Sequence, residues 1–525
     1  MMKRNAALVI VWTTVLAGGF FFLWGCSPQK PEPVKTAAIP DGEYDPAVWG
    51  RVYPLEYDSW LQSKEPNPPG SKYRRGWIRN DKFEEVRRQY PELPLLFSVG
   101  KFDKLSEYPY LALLFNGWGF GVEYNEIRGH HYMLIDQLEI DPSRLKAGGV
   151  CLTCKTPFAP KLKEELGANY FKDPYLDVHA KIPVQFQRQG VMCLDCHDNK
   201  TMDLQFSRWT LQKALTDIGK DPKTATRQEK RTLVCAQCHV SYVIKKDKDM
   251  NSTGVFFPWQ GSKEGDISIE NIIKVIKSDP AYLEWQQAVT GFKLGFSRHP
   301  EYEVYSRNST HWQAGVACAD CHMQYMRVGA NKISNHNLGS PLAQGMAACQ
   351  QCHAQSADWL KARVLAIQDR TTSLLNRAGY ATAVAAKLFE IAHRARADGR
   401  RINQEWYDKA KDLYAEAFYR LNYIGAENSA GFHNPTEAAR ICGDAVAFAE
   451  KASGLLRQIV VFWEDISVDI NLDLAKYLQK RGVKILNFKP EQEFKDPYHI
   501  QELLTPAPSL GLPPAVPDDR PRPWE

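Results

Sequence analysis

"CLTCK", residues 151–155, has the spacing of a C-x-x-C-H motif but ends in lysine. Four other stretches keep the histidine: CLDCH at 193–197, CAQCH at 235–239, CADCH at 318–322 and CQQCH at 349–353. In C-x-x-C-H two thiols add across the vinyl groups of a c-type haem while the adjacent histidine reaches the iron. The pairs Cys151/Cys154, Cys193/Cys196, Cys235/Cys238, Cys318/Cys321 and Cys349/Cys352 therefore predict five covalently bound haem c groups. A C-x-x-C is also half of a zinc site, but zinc ribbons pair such units at short range and have no use for the trailing histidine.

Ten of the twelve cysteines fall in these pairs, leaving Cys26 and Cys442, so the pattern is attachment chemistry and not a disulfide framework. Cys442 lies beside a helical apolar stripe and reads as a free buried thiol. Of the thirteen histidines, His197, His239, His322 and His353 are spent in the motifs. Nine remain, and four of them are needed if each of these four haems takes two imidazoles. Such six-coordinate haems serve as electron wires. At the fifth motif Lys155 must lose its proton to bind iron, against an ordinary pKa of about 10; coordination and burial offset that cost. One amine ligand leaves the opposite face open, so this haem is the candidate reaction centre. The bland alternative is a solvated Lys155 and a different iron ligand.

The 525 residues are 44% hydrophobic and 24% charged, which describes a globular chain with a substantial core. The formal charge is +5, but the basic residues are spread along the chain and form no nucleic-acid-binding block. Lys3 and Arg4 precede an apolar run from Ala6 to Trp24, an export signature that places the rest of the chain on the periplasmic side. Leu23-Trp24-Gly25-Cys26 resembles a lipobox with lipid on Cys26; an uncleaved membrane anchor and a plain cleaved signal are the alternatives.

Five segments follow from composition: signal or anchor over 1–26, a Pro-rich tether over 27–45, a pentahaem catalytic region over 46–355, long helices over 356–490, and an extended Pro-rich tail over 491–525. No period-two alternation persists between the motifs, so helices and loops organised around cofactors are expected there. Leu360, Val364, Ile367 and Leu374 repeat at helical spacing, as do Ile441, Ala445, Phe448, Ala452 and Leu455. Asn434-Pro435 is a helix start, with Asn as cap and Pro in the first turn. The predicted fold class is all-α: a haem-packed core followed by a bundle of long helices.

Four C-x-x-C-H motifs preceded by one C-x-x-C-K resemble the pentahaem cytochrome c nitrite reductases, which form ammonium. The resemblance covers about residues 46–490 and extends beyond the cysteines. "RGHHY" at 128–132 implies His130 as the distal ligand of the haem at Cys235, Cys238 and His239. "CHVSY" at 238–242 implies Tyr242, and "HPEYE" at 299–303 implies His299, as active-site residues. By the same resemblance His311 serves the haem of His353, His336 in "SNHNLGSP" that of His197, and His433 in "HNPTEA" that of His322. Arg144, between the RGH segment and the lysine motif, is the candidate active-site arginine. His131, His179, His393 and His499 have no such context and read as structural.

The chain departs from the family at a calcium site. Ser241 stands where the family's CHVEY has glutamate, and Phe296-Ser297-Arg298-His299 replaces its KAQH. Without those side-chain oxygens a hard-cation site is not expected, and Arg298 is the candidate replacement for the ion's positive charge. The resemblance implies six-electron reduction of nitrite to ammonium, electrons from a quinol-oxidising multihaem cytochrome in the membrane, and a homodimer joined through the long helices. Related reductases acting mainly on hydroxylamine or sulfite form a second class. A third is a non-enzymatic electron conduit, against which the open axial position at Lys155 argues.

Overall fold

Ala357–Ala397, the longest element, begins where Ser356 accepts a hydrogen bond from Trp359 N and runs 41 residues, about 60 Å. This is helix α2 in a computed structural model that describes residues 38–65, 97–98, 101–102, 104–145, 147–461 and 470–479. The sequence expectations for 1–26, most of 27–45 and all of 491–525, and with them Cys26 and His499, lie outside the described residues.

Helix α3 is Gln404–Gly425, capped by Asn403, and α4 is Pro435–Val461; each packs against its neighbours in a C-terminal bundle. Glu437 N donates to Asn434 Oδ1 at 3.2 Å, which gives α4 the cap and first-turn proline anticipated from its sequence. The apolar stripe differs in detail. Leu360 and Val364 are buried, but the next fully buried leucine of α2 is Leu375, while Leu374 and Ile367 are only partly covered. From Ala378 to Phe389 every residue of α2 is buried, so this stretch has no solvent face and an amphipathic stripe cannot be read from it. Gly379 is required there, because a Cβ would lie 2.3 Å from the Tyr110 ring.

One hydrophobic cluster runs from Leu105 through the Trp285–Leu294 segment to α2, α3 and α4, so the long helices and the preceding region share a core. A second cluster, with Leu152, Phe158, Leu162, Tyr170, Tyr175 and Met192, lies under the first C-x-x-C pair. The architecture is all-α. Between the motifs the structure adds short antiparallel hairpins that the sequence reading did not foresee. Strands β1 (Val243–Lys246) and β2 (Ser252–Phe256) pair Val243 with Phe256, and β3 (Tyr325–Val328) and β4 (Asn331–Ser334) pair across a turn at Gly329. Each runs only four or five residues, too few for a sustained alternation to show.

Candidate active site

Each attachment motif sits at a tight turn. Helix α1, Arg227–Ala236, carries Cys235 in its last turn; it starts with a capping box in which Thr226 Oγ1 accepts from Glu229 N and Glu229 accepts from Thr226 N. In three histidine motifs the His N–H donates to the carbonyl of the first cysteine: His197 to Cys193 at 2.9 Å, His239 to Cys235 at 3.0 Å and His353 to Cys349 at 2.9 Å. The lysine motif differs, because Lys155 N donates to Leu152 O at 2.9 Å. Its approach needs Gly148, at φ +56°, and Gly149, since Cβ atoms there would lie 2.2 Å and 2.4 Å from the carbonyls of Phe171 and Tyr170.

Nine of the ten motif cysteines are partly buried and Cys352 is exposed. Its neighbours Gln351 and His353 are exposed with it. A small cluster of Met346, Leu360 and Val364 packs here, with Leu342, Cys349, Ala357 and Phe432 against it. The CQQCH turn lies just ahead of α2.

The histidines pair across the motifs. Ring centroids are 5.9 Å apart for His130 and His239, 6.2 Å for His197 and His336, and 6.3 Å for both His311 with His353 and His322 with His433. Two imidazoles on one iron, each bonded at about 2 Å, place their centroids roughly 6 Å apart. Their spacing therefore fits bis-histidine haem, at the exposed last motif as at the others, and the ten motif thiols are free of disulfides. His239 is also 6.3 Å from His299, so spacing alone does not choose its partner. His299 is within electrostatic reach of both His239 and Lys155, so it lies between the third motif and the lysine motif.

Burial keeps most of these rings neutral, as ligands must be. It lowers His130 to about 3 and His322, His336 and His299 to about 4. His433 and His239 are the exceptions: burial again opposes their charge, but the Glu427 carboxylate at 2.6 Å from Nδ1 raises His433 to about 9, and Glu301, 3.5 Å from the His239 Nδ1, raises His239. The Nδ1 atoms of His197, His336 and His322 instead face the carbonyls of Met202, Ser334 and Gly339 at 3.0, 2.8 and 3.2 Å.

Around CLTCK the other candidates converge. Arg144 ends a one-turn helix, lays its guanidinium 4.0 Å from the Phe120 ring centroid, and acts electrostatically on Cys151 and Tyr242. Its Nε is out of solvent and has no hydrogen-bond partner, which fits a donor awaiting an anionic group. Tyr242 enters β1 directly from the third motif; burial, first of all, pushes its phenol up, and it senses Cys151 and Cys154. His299 holds a left-handed φ of 49°, an uncommon conformation for a side chain of its size, with Asn428 Nδ2 3.4 Å from its Nδ1.

Arg298 is 6% exposed and bonds Glu284 at two points, Nη1 to Oε1 at 2.9 Å and Nη2 to Oε2; Nη1 also reaches Tyr242 O at 3.4 Å. Ser241 Oγ and Ser297 Oγ are 2.5 Å apart. Among the described residues no group of three or more His, Cys, Asp and Glu side chains is arranged to hold a metal ion by itself. Sequence reasoning missed Glu284, Glu427 and Asn428; only Glu427, six residues before a ligand candidate, had any local signal.

The cytochrome c552 family profile matches residues 45–505. The chain belongs to the cytochrome c552 family. The Nitratidesulfovibrio vulgaris cytochrome c nitrite reductase subunit NrfA is 33% identical over 383 residues, 69% of this cytochrome and 71% of that chain. An Aliarcobacter butzleri cytochrome c-552 is 31% identical over 448 residues, 82% and 77% of the two chains. The solved catalytic subunit NrfA of cytochrome c nitrite reductase from Desulfovibrio desulfuricans superposes with a TM-score of 0.69 at 27% identity, covering 92% of this cytochrome and 98% of that chain. That protein is described with two calcium sites. This cytochrome is thus an oxidoreductase of the cytochrome c nitrite reductase family, and covalent haem c is its cofactor.

The remaining histidines have ordinary structural roles. His179 meets Gln187 O at 2.8 Å, His393 meets Tyr407 Oη at 2.6 Å, and His131 packs edge-on against Trp60. Cys442 is fully buried in α4, and burial raises its thiol to about 12.

Proposed function

We propose that this cytochrome reduces nitrite to ammonium at the lysine motif, with the four histidine-paired motifs supplying electrons. The observation that carries the reading is the convergence of Arg144, Tyr242 and His299 on CLTCK, the one motif without a histidine. A haem there would be held by Cys151, Cys154 and Lys155 and would supply the redox-active iron.

The remaining chemistry belongs to the chain. Arg144 attracts the anion and donates to an oxygen through hydrogen bonds held ready in a buried site. His299, kept neutral by burial, hydrogen-bonds the second oxygen and passes protons taken from solvent. Tyr242, protonated at neutral pH, donates from its phenol. Six electrons must arrive without loss of intermediates, which four wires leading to one reaction site would permit.

Calcium is absent in this proposal, because the Arg298 guanidinium donates to the Tyr242 carbonyl and is fixed by Glu284. Glu284 also compensates its charge, so the guanidinium proposed to meet the substrate is that of Arg144, whose Nε has no partner. We further place the protein on the periplasmic side, tethered through lipid on Cys26 or the apolar run 6–24. It works as a homodimer through its long helices and draws electrons from a quinol-oxidising multihaem cytochrome.

The test is ammonium yield from nitrite, with purified holoprotein and a reduced viologen donor. One ammonium per nitrite, without escaping nitric oxide or hydroxylamine, is expected. Turnover of sulfite or hydroxylamine alone, in protein carrying five haems by mass, would move the function to those substrates; no turnover of any would leave the electron conduit.

A further inference from the structure

Arg208 is 2% exposed and sends its guanidinium between attachment motifs. Nε donates to Thr153 O at 2.6 Å, Nη2 to Thr156 O at 2.8 Å and to the Asp195 carboxylate, and Nη1 to Ser207 Oγ at 2.9 Å. Its backbone N–H donates to Gln237 Oε1 at 3.1 Å, and Gln237 Nε2 donates to Asp195 O at 3.0 Å and to Val234 O at 3.2 Å. Asp195 Oδ2 in turn accepts from Met192 N at 2.8 Å.

The three partners have one thing in common. Thr153, Asp195 and Gln237 each occupy the third position of a motif, in CLTCK, CLDCH and CAQCH. One arginine therefore ties three attachment loops together at equivalent points. Its grip on the lysine loop is the tightest, because the two carbonyls it holds bracket Cys154-Lys155. A guanidinium is planar and its donors point in fixed directions, so bonding both carbonyls sets the orientation of the turn between them. A lone ion pair would need only Asp195.

We infer that Arg208 is a positioning residue, fixing the Thr153–Thr156 turn against the second and third motifs and thereby aiming the Lys155 amine. The inference rests on Lys155 being an iron ligand, and the experiment separates the two ideas. Arg208→Lys keeps the charge but loses the planar fork; Asp195→Asn keeps the shape but removes the ion pair, and decides the matter if the first variant does not acquire five haems. Holoproteins confirmed by mass to carry five haems are compared by electron paramagnetic resonance and by redox titration.

The expected result is a shifted signal and midpoint potential for the lysine-motif haem, parental signals for the bis-histidine haems, and a fall in nitrite kcat of about tenfold or more. Parental signals in both variants, with only a lower melting temperature, would overturn the inference and leave Arg208 a buried ion pair. Lys155→His serves as the reference: an unchanged signal there would mean that Lys155 is not the ligand, a failure of the functional reading itself.

Discussion

Arg298 and Glu284 meet in a two-point ion pair whose side chains are 7% and 3% exposed, directly beside Tyr242. The guanidinium lies 4.9 Å from the Tyr242 ring centroid and within reach of its carbonyl. In the proposed reading this paired guanidinium takes the place of a divalent ion beside Tyr242.

Nitrite reduction is accordingly expected to be insensitive to chelators, with no stoichiometric calcium in the purified protein. Arg298→Ala should destabilise the fold by about 3–5 kcal/mol, since Glu284 is left buried without its partner. Tightly bound calcium in elemental analysis, or activity lost on chelation and restored by calcium, would count against the replacement.

Arg144 is the cation proposed to attract the anion, with His299 and Tyr242 as further hydrogen-bonding groups. Arg144→Leu should lower kcat/KM for nitrite by roughly a hundredfold or more, the usual loss for a buried donor aimed at developing negative charge. Arg144→Lys should recover part of it. Steady-state kinetics with a viologen donor decides; near-parental rates in the leucine variant would mean that another cation holds the substrate.

Much of this site was legible in sequence because its information is local. A haem motif needs only five consecutive residues, and the partner histidines lie in short matching segments, so the pairs His197–His336 and His322–His433 could be named without a structure. What surrounds a motif is not local: nothing in CQQCH distinguishes its exposed Cys352 from the partly buried second cysteines of the other four. The residues that complete the site are likewise of another kind. Glu284 reaches Arg298 across fourteen residues, and Arg208 reaches Thr153 across fifty-five; no spacing rule connects them, and each looks like an ordinary surface charge until the chain folds. The fold shows the same division. The long helices were announced by caps and period, whereas the hairpins β1–β2 and β3–β4 were too short to alternate visibly, and the all-round burial of Ala378–Phe389 defeats any search for a stripe.

Glu303 supplies a pH signature. It is fully buried; Oε1 accepts from Trp259 Nε1 at 2.9 Å and from Ser241 N at 2.8 Å, while Oε2 has no partner. Burial raises its carboxyl from 4.5 to about 8. The folded state thus holds a proton that the unfolded state releases above about pH 4.5. Stability from this group is fully present below that value, declines as pH rises, and is lost by about pH 8. Glu303→Gln imitates the protonated form and should flatten this part of the profile. Relative to the parent, the variant should gain of the order of a few kcal/mol between pH 5 and 9. Denaturant titrations of the two holoproteins at several pH values check it; parallel profiles would show that Glu303 is ionised throughout.

Glu427 sets His433 apart from the histidines whose Nδ1 faces a backbone carbonyl. Its carboxylate is completely buried and accepts from Ser429 N at 2.9 Å, Ser429 Oγ at 2.8 Å, Gly431 N at 2.9 Å and His433 Nδ1 at 2.6 Å. A full negative charge against Nδ1 pushes electron density towards Nε2 and makes the imidazole a stronger donor than one bonded to a backbone carbonyl, as His197, His336 and His322 are. A stronger donor favours oxidised iron, so the haem of Cys318 and Cys321 should have a lowered potential. Glu427→Gln keeps the shape and an acceptor oxygen but removes the charge. It should raise the potential of this haem while the other four stay in place. A spectroelectrochemical titration resolves the components, and five unchanged potentials would show that the carboxylate only anchors the loop.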